Sequence, residues 1–315
     1  MNIFFKTIIS EIKDISVPLY KILIPFVFVV KILEEIGFIK FVSTYFEPIV
    51  QLMGLPAEMG FIWVTAIIVN VYAAIIVFIN IVPGLDLTVA QVTIITTVIL
   101  IAHNIFVESA ITRSAGISFF YAAFLRISIG FLAGLILHKL YSSFGFLEEK
   151  YSLIFEQPKL ILTYTEWFYG QIKNLAFIFL IICILVLTLN IFKKIGIEHL
   201  IRLMLKVPLR FMGIGEQAIN VVIVGLTIGI QFGGGLLIKE AKSKEIDKQS
   251  ILLSLSFLNL VHAIIEDTIL MSIMGGHLSG ILFFRLIFSL LIVFIILFLY
   301  KNFEGLFQKF IFVRA

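Results

Sequence analysis

The chain has 315 residues, of which 61% are hydrophobic and only 14% are charged. Soluble domains are about half apolar, so this composition excludes an ordinary water-soluble protein and indicates a polytopic membrane protein. The formal net charge of +4 does not indicate a nucleic-acid partner. Most basic residues stand in loops between apolar runs, where the positive-inside rule already explains them.

The first half of the chain contains three apolar runs that reach the length of about 20 residues that a helix needs to cross a membrane. These predicted spans are residues 17–38, 88–108 and 117–141. Between the first two lie an amphipathic stretch at 40–54, which predicts an interfacial helix, and an apolar segment at 58–82. Asn70 and Tyr72 interrupt that segment near its middle. The alternating segments of a β-barrel do not occur, so we expect an all-α fold.

A polar linker follows, and the second half repeats the order of the first. Its predicted spans are residues 172–192, 250–270 and 278–300, with a second amphipathic interfacial stretch at 195–213 and an interrupted segment at 216–238. Gln231 and three consecutive glycines interrupt that segment. We therefore divide the chain into a first membrane repeat (1–141), the linker (142–171) and a second membrane repeat (172–315).

Rare polar residues recur in the two halves at a constant offset of 159 positions. The pairs are His103 with His262, Glu108 with Asp267, Ser109 with Thr268 and Arg126 with Arg285. The chain has only five histidines, so a match between two of them carries more weight than matches among its many apolar residues. Ionisable groups inside a span are costly unless they have partners or a water-filled cavity. The duplicated set therefore predicts a functional site.

Charge bias predicts how the two repeats are oriented. Residues 37–86 contain one basic residue, Lys40, whereas the matching stretch 196–245 contains six. Opposite bias places matched segments on opposite sides of the membrane, which requires an odd number of crossings per repeat. We therefore predict a polytopic helical membrane protein with two inverted repeats, about six full spans, two re-entrant or broken-helix segments and two interfacial amphipathic helices. Both termini are then cytoplasmic.

One alternative to this topology stays open at the level of sequence. The glycines of the second interrupted segment could simply let helices approach closely, as small residues often do in membranes. Eight full crossings would then be formed. That topology puts the basic residues near 193–210 on the outer face, against the positive-inside rule.

The strongest candidate for a substrate site combines polar residues from both repeats. They are His103, Asn104 and Glu108 in the first and Asn259, His262, Glu266 and Asp267 in the second. Residues three and four apart share a helix face, so Asn259, His262 and Glu266 are predicted to form one stripe. In many transporters, broken helices of inverted repeats meet at such a midplane site. Asn70, Gln231, Arg126 and Arg285 are expected to support it.

Other roles for these residues compete with substrate binding. The histidine and the acid of each half could satisfy one another or lie near the end of a span within reach of water. They could also hold a metal, since imidazole nitrogen and carboxylate oxygen suit zinc or iron. Buried arginines need anionic partners, so Arg126 and Arg285 are expected to pair with Glu108 and Asp267. Bidentate binding of an anionic substrate is the alternative for the arginines.

The function predicted from these features is transport of a small polar or charged solute across the cell membrane, coupled to protons through the titratable histidines or to sodium. Motifs of zinc proteases, serine hydrolases and P-loop proteins are absent, so neither an enzyme nor a cofactor is expected. The predicted partners are the solute and the lipid bilayer, and homo-oligomerisation is left open. The alternatives are a membrane scaffold, a divalent metal permease and an enzyme acting on a lipid-linked substrate.

Short motifs add a family resemblance that covers most of the chain. Met53-Gly54-Leu55-Pro56-Ala57-Glu58 opens the first interrupted segment, and Met212-Gly213-Ile214-Gly215-Glu216 opens the second. With the amphipathic helices before them, these resemble the nucleoside recognition, or Gate, family of membrane proteins, which includes the gate segments of ferrous iron permeases. The resemblance implies a path for a small solute or ion at the junction of the repeats. It does not imply nucleosides, and no GTPase domain of the iron permease type is present.

Overall fold

The fold is all-helical in a computed structural model that describes residues 3–152, 163–230, 238 and 246–313. The helices of the first half are α1 Ile3–Glu35, α2 Phe38–Leu52, α3 Glu58–Ile68, α4 Val71–Ile81, α5 Val89–Ile101, α6 Ile105–Ser114 and α7 Phe119–Phe144. Those of the second half are α8 Tyr164–Ile195, α9 Ile197–Phe211, α10 Glu216–Ile228, α11 Lys248–Leu260, α12 Ile264–Ile273, α13 Arg285–Asn302 and α14 Glu304–Phe310. A turn of π-helix, Ser279–Phe284, leads into α13. The prediction of an all-α fold is confirmed.

Six stretches of the described chain are long and apolar enough to cross a membrane, as predicted. They are Ile8–Glu35, Val89–Ser114, Phe119–Phe144, Tyr164–Phe192, Lys248–Ile273 and Ser279–Asn302. Two of these spans are broken near their middle, where α5 gives way to α6 and α11 to α12. The second span consequently continues to Ser114, beyond the predicted end at residue 108, because the helix restarts after its break. The predicted linker, 142–171, includes the last turn of α7 and the first turns of α8.

The first interrupted segment forms a hairpin of two half-length helices. Helices α3 and α4 have 11 residues each, or about 16 Å, roughly half of the bilayer core. They pack against each other and are joined at Asn70, whose extended backbone turns the chain and whose side-chain oxygen accepts a hydrogen bond from Ala73 N (2.9 Å). In the second repeat α10 is equivalent to α3, while Gln231 and the three glycines lie outside the described residues.

The two amphipathic helices, α2 and α9, expose apolar side chains, as interfacial helices do. Leu203, Met204 and Val207 of α9 are all more than half exposed, while Leu209 is fully buried against the protein. Helix α9 carries three basic residues and α2 carries only Lys40. Three of the six basic residues used to predict inversion therefore lie on α9, compared with the single lysine on α2.

Contacts between α1 and α8 show that these matched helices run in opposite directions. Near the start of α1, Glu11 accepts a hydrogen bond from Asn190 Nδ2 (2.5 Å), late in α8. Near the end of α1, the ring of Phe28 packs on Trp167, early in α8, with centroids 5.7 Å apart. Matched helices of an inverted repeat are expected to be antiparallel in this way.

The broken spans are also antiparallel. On the linker face, which we define by residues 145–151, Tyr151 N donates to Leu87 O (2.8 Å) just before α5. The Tyr151 hydroxyl donates to Met274 O (2.9 Å) at the end of α12. The start of one broken span and the end of the other therefore lie on the same face.

The opposite ends of these spans meet on the terminal face, defined by residues 311–313. There Ser118 N, after α6, donates to Ile311 O (2.6 Å), and Lys248, at the start of α11, lies over the ring of Phe312. Residue Ser250 of α11 also accepts a hydrogen bond from Gly215 N (3.1 Å), after α9. The described fold is thus an inverted repeat, and the first and last described residues lie on one face.

Single cysteines at Asp86 and Lys309, in a Cys183→Ala background, are expected to react with a membrane-impermeant maleimide from opposite sides. Asp86 is exposed on the linker face and Lys309 is exposed beside the terminal face. Because basic residues mark the cytoplasmic side, Asp86→Cys should label in intact cells and Lys309→Cys only after lysis. Labelling of both sites from one side would contradict the inverted topology.

Candidate functional site

The two broken spans cross at their breaks, and both breaks have the same backbone conformation. Asn104 (φ 47°, ψ 40°) and Ala263 (φ 44°, ψ 40°) lie in the left-handed region. The two breaks also have equivalent hydrogen-bond partners on other helices. Asn104 N donates to Ala66 O of α3 (2.8 Å), and Ala263 N donates to Gly225 O of α10 (3.3 Å). Helices α3 and α10 therefore satisfy backbone groups that the breaks would otherwise leave unpaired in an apolar environment.

The duplicated histidines meet where the spans cross. Nδ1 of His103 lies 2.9 Å from Ile99 O, and Nδ1 of His262 lies 3.0 Å from Leu258 O. Their Nε2 atoms face each other at 3.3 Å, and both side chains are buried. One imidazole from each repeat thus points to a common centre.

The carboxylate of Glu108 stands beside both histidines. Its Oε1 lies 3.5 Å from His103 Nε2 and its Oε2 lies 3.3 Å from His262 Nε2. The fully buried guanidinium of Arg126 donates from Nη1 to Glu108 Oε2 and from Nε to Ile101 O, the latter at 2.9 Å. Arg126 therefore neutralises the acid and binds the last carbonyl of α5.

The second repeat has the same arrangement with a looser ion pair. Nε of Arg285 donates to Leu260 O (3.2 Å), the position that matches Ile101, and Nη2 donates to His262 O (3.2 Å). Asp267 Oδ2 is 3.5 Å from Arg285 Nη2, beyond good hydrogen-bond distance, and this buried oxygen has no hydrogen bond. The expected pairing of each arginine with the acid of its own repeat is present, tightly in the first and weakly in the second.

These side chains open onto a cavity of about 520 Å³. Its walls come from α1, the tip of the α3–α4 hairpin and both breaks; the lining residues are Asp14, Ile15, Pro18, Leu19, Ile22, Val69, Asn70, Val71, Tyr72, His103, Asn104, Val107, Glu108, Gly229, Ile230, His262, Ala263, Glu266 and Asp267. The Tyr72 hydroxyl donates to Glu266 Oε1 (3.3 Å) across the cavity. The α1 wall belongs to the half of α1 that leads to the terminal face.

Six of the seven residues predicted to bind substrate line this cavity, as does the supporting residue Asn70. Asn259 lies apart: its side chain donates to Thr112 Oγ1 (3.0 Å) and Leu255 O (2.8 Å). The predicted stripe of Asn259, His262 and Glu266 does not form, because the break between α11 and α12 interrupts the helical spacing. Arg126 and Arg285 stand behind the acids and do not line the cavity.

The sequence pattern predicts no role in the site for Tyr72 or for α1. The sequence does contain a feature that could have indicated a role for Tyr72, because its hydroxyl group lies two positions from Asn70 in an apolar segment. Nothing local marks the wall that α1 contributes, because Ile15, Leu19 and Ile22 resemble the lipid-facing residues of any span. Asp14, at the mouth of the cavity, is distinguished in the sequence only as a charged residue near the N-terminus.

Fold and site together define a helical membrane protein of two inverted repeats whose broken spans meet at a buried polar cluster. The chain is similar to the uncharacterized membrane protein YvoD of Bacillus subtilis (strain 168), with 22% identity over 279 residues; the match covers 86% of this chain and 87% of that protein. No family model matches the chain, so the resemblance to the Gate family stays a prediction. No solved structure matches it.

Proposed function

We propose that this protein is a transporter of a small polar or charged solute and that the solute binds in the cavity between the two breaks. The observation that supports this most directly is the composition of the cavity wall. Both repeats contribute buried ionisable side chains to one space that is large enough for a small solute. Such groups are costly inside a membrane unless they serve a pathway or a site.

The arrangement of the breaks supports transport over scaffolding. In transporters with inverted repeats, alternating access follows when one repeat rocks against the other around a central site. Here the cavity extends along the half of α1 that leads to the terminal face, and the two histidines lie at the crossing point. A scaffold would need polar pairs for adhesion but no cavity between them. We place the protein in the cell membrane with its terminal face towards the cytoplasm.

The proposal is tested by a stability screen followed by uptake. Purified protein is screened with nucleosides, divalent cations and small carboxylates, since a ligand that binds the native state raises the unfolding temperature. Each stabilising solute is then tested for uptake into proteoliposomes. We expect saturable uptake that falls at least about tenfold in His262→Gln, because His262 lines the cavity.

The matched control is His199→Gln, an exposed histidine on α9 outside the cavity. Its uptake should equal that of the wild type. If no stabilising solute enters proteoliposomes faster than it enters protein-free liposomes, the transport function is wrong. If the solute enters equally fast with His262→Gln and with His199→Gln, the path of the solute does not pass through this cavity.

A further inference from the structure

We propose that His103, His262 and Asp267 form a binding site for a divalent transition-metal cation, with Glu108 beside it. Ligand atoms of the first three residues all lie within 4.8 Å of one another. The assignment of this cation as the transported solute rests on the function proposed above, whereas the binding site itself does not.

The first argument comes from the protons of the two histidines. A carbonyl oxygen can only accept a hydrogen bond, so the contacts of Nδ1 with Ile99 O and Leu258 O place a proton on each Nδ1. In a neutral imidazole Nε2 is then an acceptor. The two Nε2 atoms, 3.3 Å apart, therefore direct lone pairs at one another. This arrangement is stable only when a cation or a shared proton lies between the two nitrogens.

The second argument is geometric. Two nitrogens bound to one zinc ion at about 2.05 Å with a tetrahedral angle lie about 3.3 Å apart, and the Nε2 atoms are separated by 3.3 Å. A nitrogen and an oxygen on the same ion would be separated by about 3.4 Å. The distances from the two Nε2 atoms to Glu108 oxygens are 3.5 and 3.3 Å. The two histidine nitrogens are thus already spaced like one edge of a coordination polyhedron. Glu108 lies beside that edge, and Asp267 offers an oxygen within 4.8 Å of a ring nitrogen of each histidine.

The third argument concerns the groups around the acceptors. Histidines that bind metals usually donate their other ring N–H to a carbonyl or carboxylate, as both histidines do here. Asp267 Oδ2 is buried without a hydrogen bond, which a metal bond would satisfy. Arg126 holds the carboxylate of Glu108 from behind, whereas Arg285 lies 3.5 Å from Asp267 Oδ2 and leaves that oxygen available to an ion.

The donor set also indicates the kind of ion. Imidazole nitrogen with carboxylate oxygen suits Zn²⁺, Co²⁺ or Fe²⁺, whereas Ca²⁺ and Mg²⁺ prefer sites made of oxygen atoms. All three proposed ligands line the cavity, so the ion has a route for exchange. The competing occupant is a proton shared by the two Nε2 atoms.

The test measures binding of Zn²⁺ to the full-length protein in detergent after removal of metals with a chelator. We expect one Zn²⁺ per chain by titration calorimetry and a loss of affinity of at least about 100-fold in His103→Gln and His262→Gln. His199→Gln should bind like the wild type. Size-exclusion chromatography checks that each variant is folded.

X-ray absorption of the Zn²⁺-loaded wild type tests the site without any substitution. Two imidazole ligands and oxygen neighbours are expected. The proposal is overturned if the wild type binds no Zn²⁺ or Co²⁺, if the spectrum shows fewer than two imidazoles, or if folded histidine variants bind as well as the wild type. Zn²⁺ that binds but is not transported would refute the assignment of the cation as the transported solute and leave the binding site intact.

Discussion

Replacing Arg126 with methionine is expected to lower the free energy of unfolding by about 3–5 kcal/mol, the cost of removing one partner of a buried ion pair. The guanidinium is fully buried and donates to both Glu108 and Ile101 O. Methionine fills much of the volume but leaves a buried carboxylate and the last carbonyl of α5 without a donor. Unfolding of purified protein by heat and by denaturant measures the loss.

Two controls make this prediction specific. Arg285→Met should cost clearly less, because Arg285 is 3.5 Å from Asp267 Oδ2 and is not closely paired with it. The double substitution Arg126→Met with Glu108→Gln should recover much of the loss, since it removes the uncompensated charge. Equal losses for the two arginines, or no recovery in the double variant, would contradict the assigned pairing.

Gly280→Val is expected to destabilise the protein by about 3 kcal/mol, the upper range for forcing extra methyl groups into a filled core. A Cβ at Gly280 would lie 2.5 Å from Thr93 Cγ2, 2.8 Å from Thr97 Oγ1 and 3.0 Å from the Tyr141 hydroxyl. The threonines are fixed in place, because Thr93 donates to Val89 O and Thr97 donates to Thr93 O, both at 2.7 Å. The same unfolding measurements report the loss.

Gly305→Ala is the control for Gly280. A Cβ at Gly305 meets nothing within 4 Å, and alanine favours the helical conformation of α14 by about 1 kcal/mol over glycine. The unfolding temperature of this variant should be unchanged or higher. If the Gly280→Val variant were as stable as the Gly305→Ala variant, this result would contradict the close packing of the π-helical turn against α5.

Hydropathy and the repeat of rare residues predicted the six spans and the meeting of polar side chains from both halves. These features depend on composition and on matching positions, which can be read directly from the sequence. The same offset of 159 positions relates the histidine contact, the arginine bonds to Ile101 O and Leu260 O, and the two breaks. The meeting of these polar residues could therefore be predicted from the order of the amino acids, and their role in binding a solute stays a prediction.

The breaks themselves could not be predicted, because neither proline nor glycine marks them. Asn104 and Ala263 each follow a duplicated histidine. Their N–H groups donate to Ala66 O and Gly225 O of remote helices. A tertiary partner of this kind overrides helix propensity. The failure of the Asn259 stripe has the same origin, since helical spacing cannot be carried across a break.

The two breaks share one conformation but differ in strain. Asparagine visits the left-handed region readily, whereas alanine there carries roughly 1 kcal/mol of steric strain, and Ala263 has φ 44°. A rearrangement that straightens the second span recovers this energy, and one that straightens the first does not. Other terms being equal, this difference of about 1 kcal/mol would favour straightening of the second span over straightening of the first by about fivefold. The matched conformation of the two breaks therefore stores more backbone strain in the second repeat than in the first.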